Sequence, residues 1–235
     1  DGYTVLVHSV AFAVNPSLYA DAGYDALKDF VPLALGPKTP NIITVNPSVA
    51  AKTLPELVEA AKKTPMSYAS SGIGTTTHLS MERLKTAAKV DITHVPYQPA
   101  AAINAVVAGH TPMASTSMPP AVPQIKAGKL KALAVTGITR ALDLPNVPTF
   151  IEVGYPDIVL RNWTGAAVPA GTPPAMVKRL ESAFNEILKM PEYVSAMRKM
   201  GGDAKPNSSE EFGQMIAADF KKWNEVSKAA GISID

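Results

Sequence analysis

The sequence contains no cysteine. Disulfide staples, thiol nucleophiles and cysteine–zinc sites are therefore excluded, while oxidising and reducing compartments both stay open. No apolar run approaches the ~20 residues that a membrane-spanning helix needs. Blocks of like charge are also missing. The 22 lysines and arginines against 20 aspartates and glutamates leave a net charge of +2, with the signs interspersed. Nothing in that pattern points to a nucleic-acid partner, whereas a slight positive excess suits an anionic ligand. Metal-ligand spacing is lacking as well: His8, His78, His94 and His110 are scattered, with no pair one helical turn apart. No serine sits in a Gly-x-Ser-x-Gly elbow, so a triad drawn from Ser70, His78 and Asp91 has only common residue types behind it. The chain opens at Asp1-Gly2-Tyr3-Thr4 without methionine or signal peptide, as a processed or truncated chain would.

What is present is globular. Hydrophobic residues make up 46% and charged ones 18%, which excludes a disordered chain or a coiled coil. Its 235 residues allow one large domain or two small ones. Short apolar runs alternate with amphipathic ones, so the expected class is α/β around mainly parallel sheets. The expected strands are 3–8, 41–45, 67–70, 91–95, 112–115, 131–136 and 163–168. Thr53-Leu54-Pro55-Glu56 reads as a capping box ahead of Leu57, Val58 and Ala61. Thr172-Pro173 reads as an N-cap followed by a first-turn proline, with Val177, Leu180, Phe184, Ile187 and Leu188 as the apolar stripe. Ser208-Ser209-Glu210-Glu211 opens a last helix with Phe212, Met215, Ile216, Trp223 and Val226 facing inward. The 21 prolines are read as loop punctuation: Pro32, Pro37 and Pro40 early, then Pro119, Pro120 and Pro123 before a short turn.

The segment that carries chemistry is Tyr68-Ala69-Ser70-Ser71-Gly72-Ile73-Gly74-Thr75-Thr76-Thr77-His78-Leu79. A strand enters a loop of small and hydroxyl residues, and a helix follows with Met81, Leu84 and Ala88 on its buried side. The first turn of a helix offers unpaired N–H groups and the positive end of the dipole, and the glycines let a ligand approach the backbone. That is a cradle for a carboxylate or phosphate. The lysine of a P-loop and the third glycine of a dinucleotide fingerprint are both absent. The competing reading is a capped turn, with Thr75 or Thr76 as the cap.

Taken together, these segments resemble a known family. Asp1–Thr4, Asn15-Pro16-Ser17-Leu18-Tyr19, Tyr24-Asp25, Lys28-Asp29-Phe30, Val45-Asn46-Pro47, the 68–79 loop, His94-Val95-Pro96-Tyr97, Ile125–Leu130, Ala132–Thr136, Leu144–Thr149 and Pro169-Ala170-Gly171-Thr172-Pro173 occur in the order and spacing of the substrate-binding proteins of tripartite tricarboxylate transporters, the Bug (Bordetella uptake gene) family. The resemblance implies a two-domain periplasmic-binding-protein fold of type II, a Venus flytrap with a ligand cleft. Residues 1–38 and 160–235 would form one domain and 39–159 the other. It implies a small carboxylate as ligand, permease subunits in the membrane as partners, a periplasmic location, no cofactor and no catalysis. Carried over by motif, the ligand-binding candidates are Ser9, Ser70, Gly74, Thr75, Thr76, Thr77, His78, Tyr97, Thr116 and Trp163. Trp163 reads equally as a packing aromatic at the second crossover.

Two departures from the family pattern shape the expectation. Relatives carry a further N-terminal stretch ahead of Asp-Gly-Tyr-Thr, whose turn supplies an opposing carboxylate grip. Relatives also often hold an aspartate near Thr116, where it can bind an amino group. A neutral hydroxyl there favours a plain mono- or dicarboxylate over an amino acid. An orphan receptor of the same fold, feeding a signalling partner, is the alternative function, and a serine hydrolase the more remote one.

Overall fold

The computed structural model describes residues 2–199 and 201–230, with side chains through 225; the expected inward face of Val226 lies outside the described residues. The chain divides into two compact units, 1–38 with 163–197 and 203–235, and 39–162 with 198–202. The short return of 198–202 to the second unit differs from the single block 160–235 expected. It is fixed locally: the Lys199 carbonyl accepts the Asp143 N–H, and Gly201 lies against Ala141 and Pro40.

In chain order the elements are β1 (Leu6–Ser9), α1 (Ala11–Val14), β2 (Phe30–Val45), α2 (Leu54–Lys63), β3 (Met66–Ser70), α3 (Thr76–Ala88), β4 (Ile92–Pro96), α4 (Pro99–Val107), β5 (Met113–Ser117), α5 (Met118–Lys126), β6 (Lys131–Val135), β7 (Arg161–Pro169), α6 (Pro174–Ile187), α7 (Pro191–Lys199) and α8 (Ser209–Ala230). β2 runs much further back than expected, because prolines, which ordinarily end a strand, are tolerated in it. Their placement explains the tolerance. Pairing with β5 and β6 begins at Asn41 and Ile42, just past Pro40, so no proline occupies a doubly bonded position.

In the second unit, β3, β4 and β5 are parallel, and β2 joins β5 and β6 antiparallel. Side-chain alternation gives each face its own core. Ile43, Val45, Met113 and Tyr68 meet Leu54, Leu57, Val58, Met81 and Leu84 of α2 and α3. Ile42, Ala69 and Ala114 meet Ala102, Ile103, Val106, Met118, Ala121 and Val122 of α4 and α5. The prolines expected ahead of a turn lie inside α5. Pro119 and Pro120 occupy its first turn, where an N–H has no acceptor anyway, so only Pro123 removes a bond. α2 is capped as expected: Thr53 Oγ1 accepts the Glu56 N–H at 3.3 Å, and the Glu56 carboxylate accepts the Lys52 N–H at 2.7 Å.

In the first unit, β1 pairs antiparallel with β7, and β2 lies on the other side of β7. Gly165 in β7 lets Phe212 close over the sheet, since a Cβ there would sit 2.2 Å from the ring. Phe212, Ile216 and Trp223 of α8 are buried, while Met215 is half-buried. α8 starts on a reciprocal box, with Ser208 Oγ accepting the Glu211 N–H at 3.1 Å and Glu211 accepting the Ser208 N–H at 2.7 Å. α6 begins one residue later than expected: Pro173 is its N-cap and Pro174 its first residue, because extended Pro173 cannot join the helix. Val177, Leu180 and Phe184 are half-buried, and Ile187 is exposed.

Candidate functional site

The ends of β3, β4 and β5 lie on one edge of the second unit's sheet, and a helix starts directly after each. In open parallel sheets this edge is where ligands gather, because helix N-termini point their free N–H groups there. Asn41, the first residue of β2 paired with β5, is at the same edge, opposite Ser117. The N-caps Gln98 and Ser117 make no side-chain capping bond, and because Pro99, Pro119 and Pro120 carry no N–H, the first-turn N–H groups without an intrahelical acceptor are those of Ala100 in α4 and Met118 in α5.

The loop after β3 is held by its own side chains. Gly72 and Gly74 adopt φ of 117° and 75°, a region that side chains with a Cβ avoid. Thr75 caps α3: its Oγ1 accepts the His78 N–H, accepts the Thr77 hydroxyl at 2.7 Å and donates to the Gly72 carbonyl at 2.7 Å. Thr77 Oγ1 accepts the Ser71 N–H at 3.1 Å. Gly74 donates its N–H to His78 Nδ1 at 3.2 Å, so the ring proton lies on Nε2, which is 3.8 Å from Glu82. Ser70 Oγ accepts the Gly72 N–H and meets His94 Nε2 at 2.6 Å. The capped-turn reading is realised, with Thr75 as the cap. The side chains of Ser70, Thr75, Thr77 and His78 satisfy the loop, and the N–H groups of Thr76 and Thr77, at the first two positions of α3, keep no intrahelical acceptor.

A layered set of rings lies beneath this loop. His94 stacks on His78 with centroids 4.2 Å apart and on Tyr68 at 4.8 Å. Burial, then the neighbouring His78, push the His94 pKa down to about 4. Burial also lowers His78, although Glu82 opposes it. Both rings are therefore neutral at pH 7. The Tyr68 hydroxyl donates to Glu82 at 2.8 Å, and its pKa is raised by burial and by that carboxylate. The partner of Ser70 is His94 and not His78, because parallel pairing sets Tyr68 beside His94. Ser70 is wholly buried with its hydroxyl engaged, so the pair cannot meet a substrate as a nucleophile.

The other expected residues are placed as follows. Tyr97 is half-buried at the start of the β4–α4 loop, its N–H given to the Ser70 carbonyl at 3.1 Å. Thr116 is buried beside Ile42 on the α4/α5 side of the sheet, and its hydroxyl has no partner. Ser9 and Trp163 belong to the first unit. Ser9 ends β1 and its Oγ accepts the Ala11 N–H. Trp163 is 3% exposed, packs edge-on to His8 and Phe212, and donates its indole N–H to Asp219 at 2.7 Å. It is a packing residue of that unit. Among the described residues no cluster of three metal-ligating side chains occurs.

Residues 1–232 match the family model of the tripartite tricarboxylate transporter family receptor. The chain belongs to this family. A relative encoded in the tcbD–tcbE intergenic region of a Pseudomonas species is 31% identical over 230 residues, covering 96% of this chain and 68% of its own. The solved structure of the periplasmic binding protein BugD superposes with a TM-score of 0.93 at 30% identity, over 99% of this chain and 80% of BugD. The Rhodopseudomonas palustris protein Rpa4515, solved with adipate, gives 0.93 and 30% over 99% of this chain and 79% of its own. This receptor thus has the α/β periplasmic-binding-protein fold, and it is a solute-binding protein and not an enzyme.

Proposed function

We propose that this receptor captures a small carboxylate at the edge formed by the 70–78 loop and the N-termini of α3, α4 and α5, and passes it in the periplasm to the permease subunits of a tripartite tricarboxylate transporter. The observation that carries the reading is the division of labour in the loop. Its hydroxyls bond one another, which stiffens the loop and leaves backbone N–H groups at a helix start as the outward donors. Donors of that kind suit a carboxylate oxygen. A mono- or dicarboxylate fits better than an amino acid, because the cradle offers N–H donors and no acceptor charge to an ammonium. Adipate bound to Rpa4515 supports the same class.

Thr76 allows a test that separates backbone from side chain. Thr76→Ala keeps the N–H and removes the hydroxyl. Thr76→Pro removes the N–H as well, at a first helical position where proline is tolerated and after an extended Thr75 that suits a following proline. A donor to a charged group contributes roughly 1.5–3 kcal/mol, or about 10–100-fold in affinity. Calorimetric titration with adipate, succinate and malate should show Thr76→Pro losing about that factor relative to Thr76→Ala. Equal affinities in the two variants would refute the cradle.

A further inference from the structure

We infer that Asn41 is a ligand-reading residue of this site, its carboxamide bonding an oxygen of the bound carboxylate beside the Thr76 and Thr77 N–H groups. The inference rests on the carboxylate reading above and adds a residue that no loop motif contains. Asn41 is wholly buried. Its backbone is pinned, with the N–H given to Thr136 Oγ1 at 2.9 Å and the carbonyl accepting the Thr136 N–H at 2.9 Å. Thr136 is held in turn by its hydroxyl bond to the Leu160 carbonyl. The side chain reaches the cradle directly: Asn41 Oδ1 accepts the Thr76 hydroxyl at 3.4 Å. Its Nδ2 is sealed from solvent and has no partner. Turning the amide over would only exchange the orphan donor for an orphan acceptor.

A buried amide that lacks a partner calls for an explanation, because native structures pair nearly all such groups. Among the described residues five other buried side chains carry unpartnered polar atoms, and one of them, Thr111, lies ahead of β5, at the opposite end of that strand from the Asn41–Ser117 pair. Thr44 and Thr116 have orphan hydroxyls on the opposite face of the sheet from Asn41, as strand alternation requires. His8 and Trp223 lie in the first unit. Asn41 alone among them touches the loop whose free donors face an anion. An incoming carboxylate oxygen would accept from Nδ2 while Oδ1 keeps the Thr76 hydroxyl, so the ligand completes the residue's hydrogen bonding. The same geometry makes Asn41 selective, since a purely apolar end of a ligand would leave Nδ2 unpaired.

The test titrates adipate, succinate and malate into the wild-type receptor, Asn41→Leu and Asn41→Asp, and records the ligand-free melting of each. Asn41→Leu is close in shape and has no unmet donor. It should lose at least about tenfold in affinity for the acid that the wild type binds best, with a melting temperature equal to or above the wild type's. Asn41→Asp, which sets a like charge against the ligand, should lose about a hundredfold or more. Wild-type affinity in Asn41→Leu would overturn the inference alone. A lowered affinity accompanied by a large fall in melting temperature would also overturn it, by assigning Asn41 a merely structural role; if Asn41→Leu does not fold, Asn41→Ser carries the same comparison. Silence of the wild type toward all three acids would remove the carboxylate reading and this inference with it.

Discussion

His94 makes the second unit sensitive to acid in a predictable window. The ring is stacked on Tyr68 and His78 and meets the Ser70 hydroxyl, and burial together with His78 holds its pKa near 4 against an ordinary 6.5. The folded chain therefore refuses a proton that the unfolded chain accepts. Above pH 6.5 neither state is protonated and the fold keeps its full stability. Between 6.5 and about 4 stability falls as pH falls, and below about 4 the loss levels off because both states bind the proton. A shift of that size at 1.36 kcal/mol per unit is about 3 kcal/mol, and solvent screening at a half-buried ring brings it to about 2–3 kcal/mol. Lowered carboxylates act elsewhere on the scale. Glu152, held near 2 chiefly by Arg140, loses its contribution only as pH drops below the ordinary carboxylate range. His94→Gln keeps a group able to bond Ser70 and abolishes the titration. Both tryptophans lie in the first unit, so their fluorescence does not report on β3 and β4 directly. Hydrogen exchange of peptides from β3 and β4, corrected for intrinsic rates and compared at pH 7 and 4.5, is the suitable assay. The wild type should lose most of those 2–3 kcal/mol of protection, and His94→Gln only the part due to His78, whose pKa burial also lowers. Equal losses in both proteins would refute the argument.

Two further predictions concern the first unit, where tryptophan fluorescence does report. Gly165→Ala would set a Cβ 2.2 Å from Phe212 Cζ and 2.5 Å from Cε1, in a ring that cannot swing outward because it is wholly buried. A loss of about 3 kcal/mol in urea melts is expected, with Phe212→Leu restoring part of it in the double variant. Ser208→Ala removes the acceptor for the Glu211 N–H and should cost about 1 kcal/mol in the same assay; no change would show that the cap is replaced by water.

Local signals in the sequence match the structure where the physics is local. The capping box at 53–56, the helix start at 208–211 and the glycine–hydroxyl loop ahead of α3 each depend on residues within one helical turn. Proline misled twice. It hid residues 30–40 of β2 and the whole of α5, because the cost of a proline depends on whether its missing N–H was needed, and that is decided by strand register and helix position. The bond from Ser70 to His94 and the placement of Asn41 were beyond local reading for the same reason. Both follow from strand pairing between residues far apart in sequence: Tyr68 beside His94, and Asn41 opposite Ser117.

The way the loop satisfies itself bears on how this receptor can choose a ligand. Hydroxyl groups that donate to one another cannot also distinguish one carboxylate from another, and backbone N–H groups at a helix start accept any anion of suitable size. On the proposed reading, the 70–78 loop would supply affinity for a carboxyl group with little preference for what is attached to it. Discrimination has to come from side chains whose hydrogen bonding is incomplete without ligand, because a wrong ligand leaves those buried atoms unpaired and pays the full desolvation cost. At this sheet edge Asn41 meets that condition and touches the loop. A change of substrate class within this scaffold is thus expected to map to Asn41, the first residue of β2 paired with β5, before it maps to the loop itself.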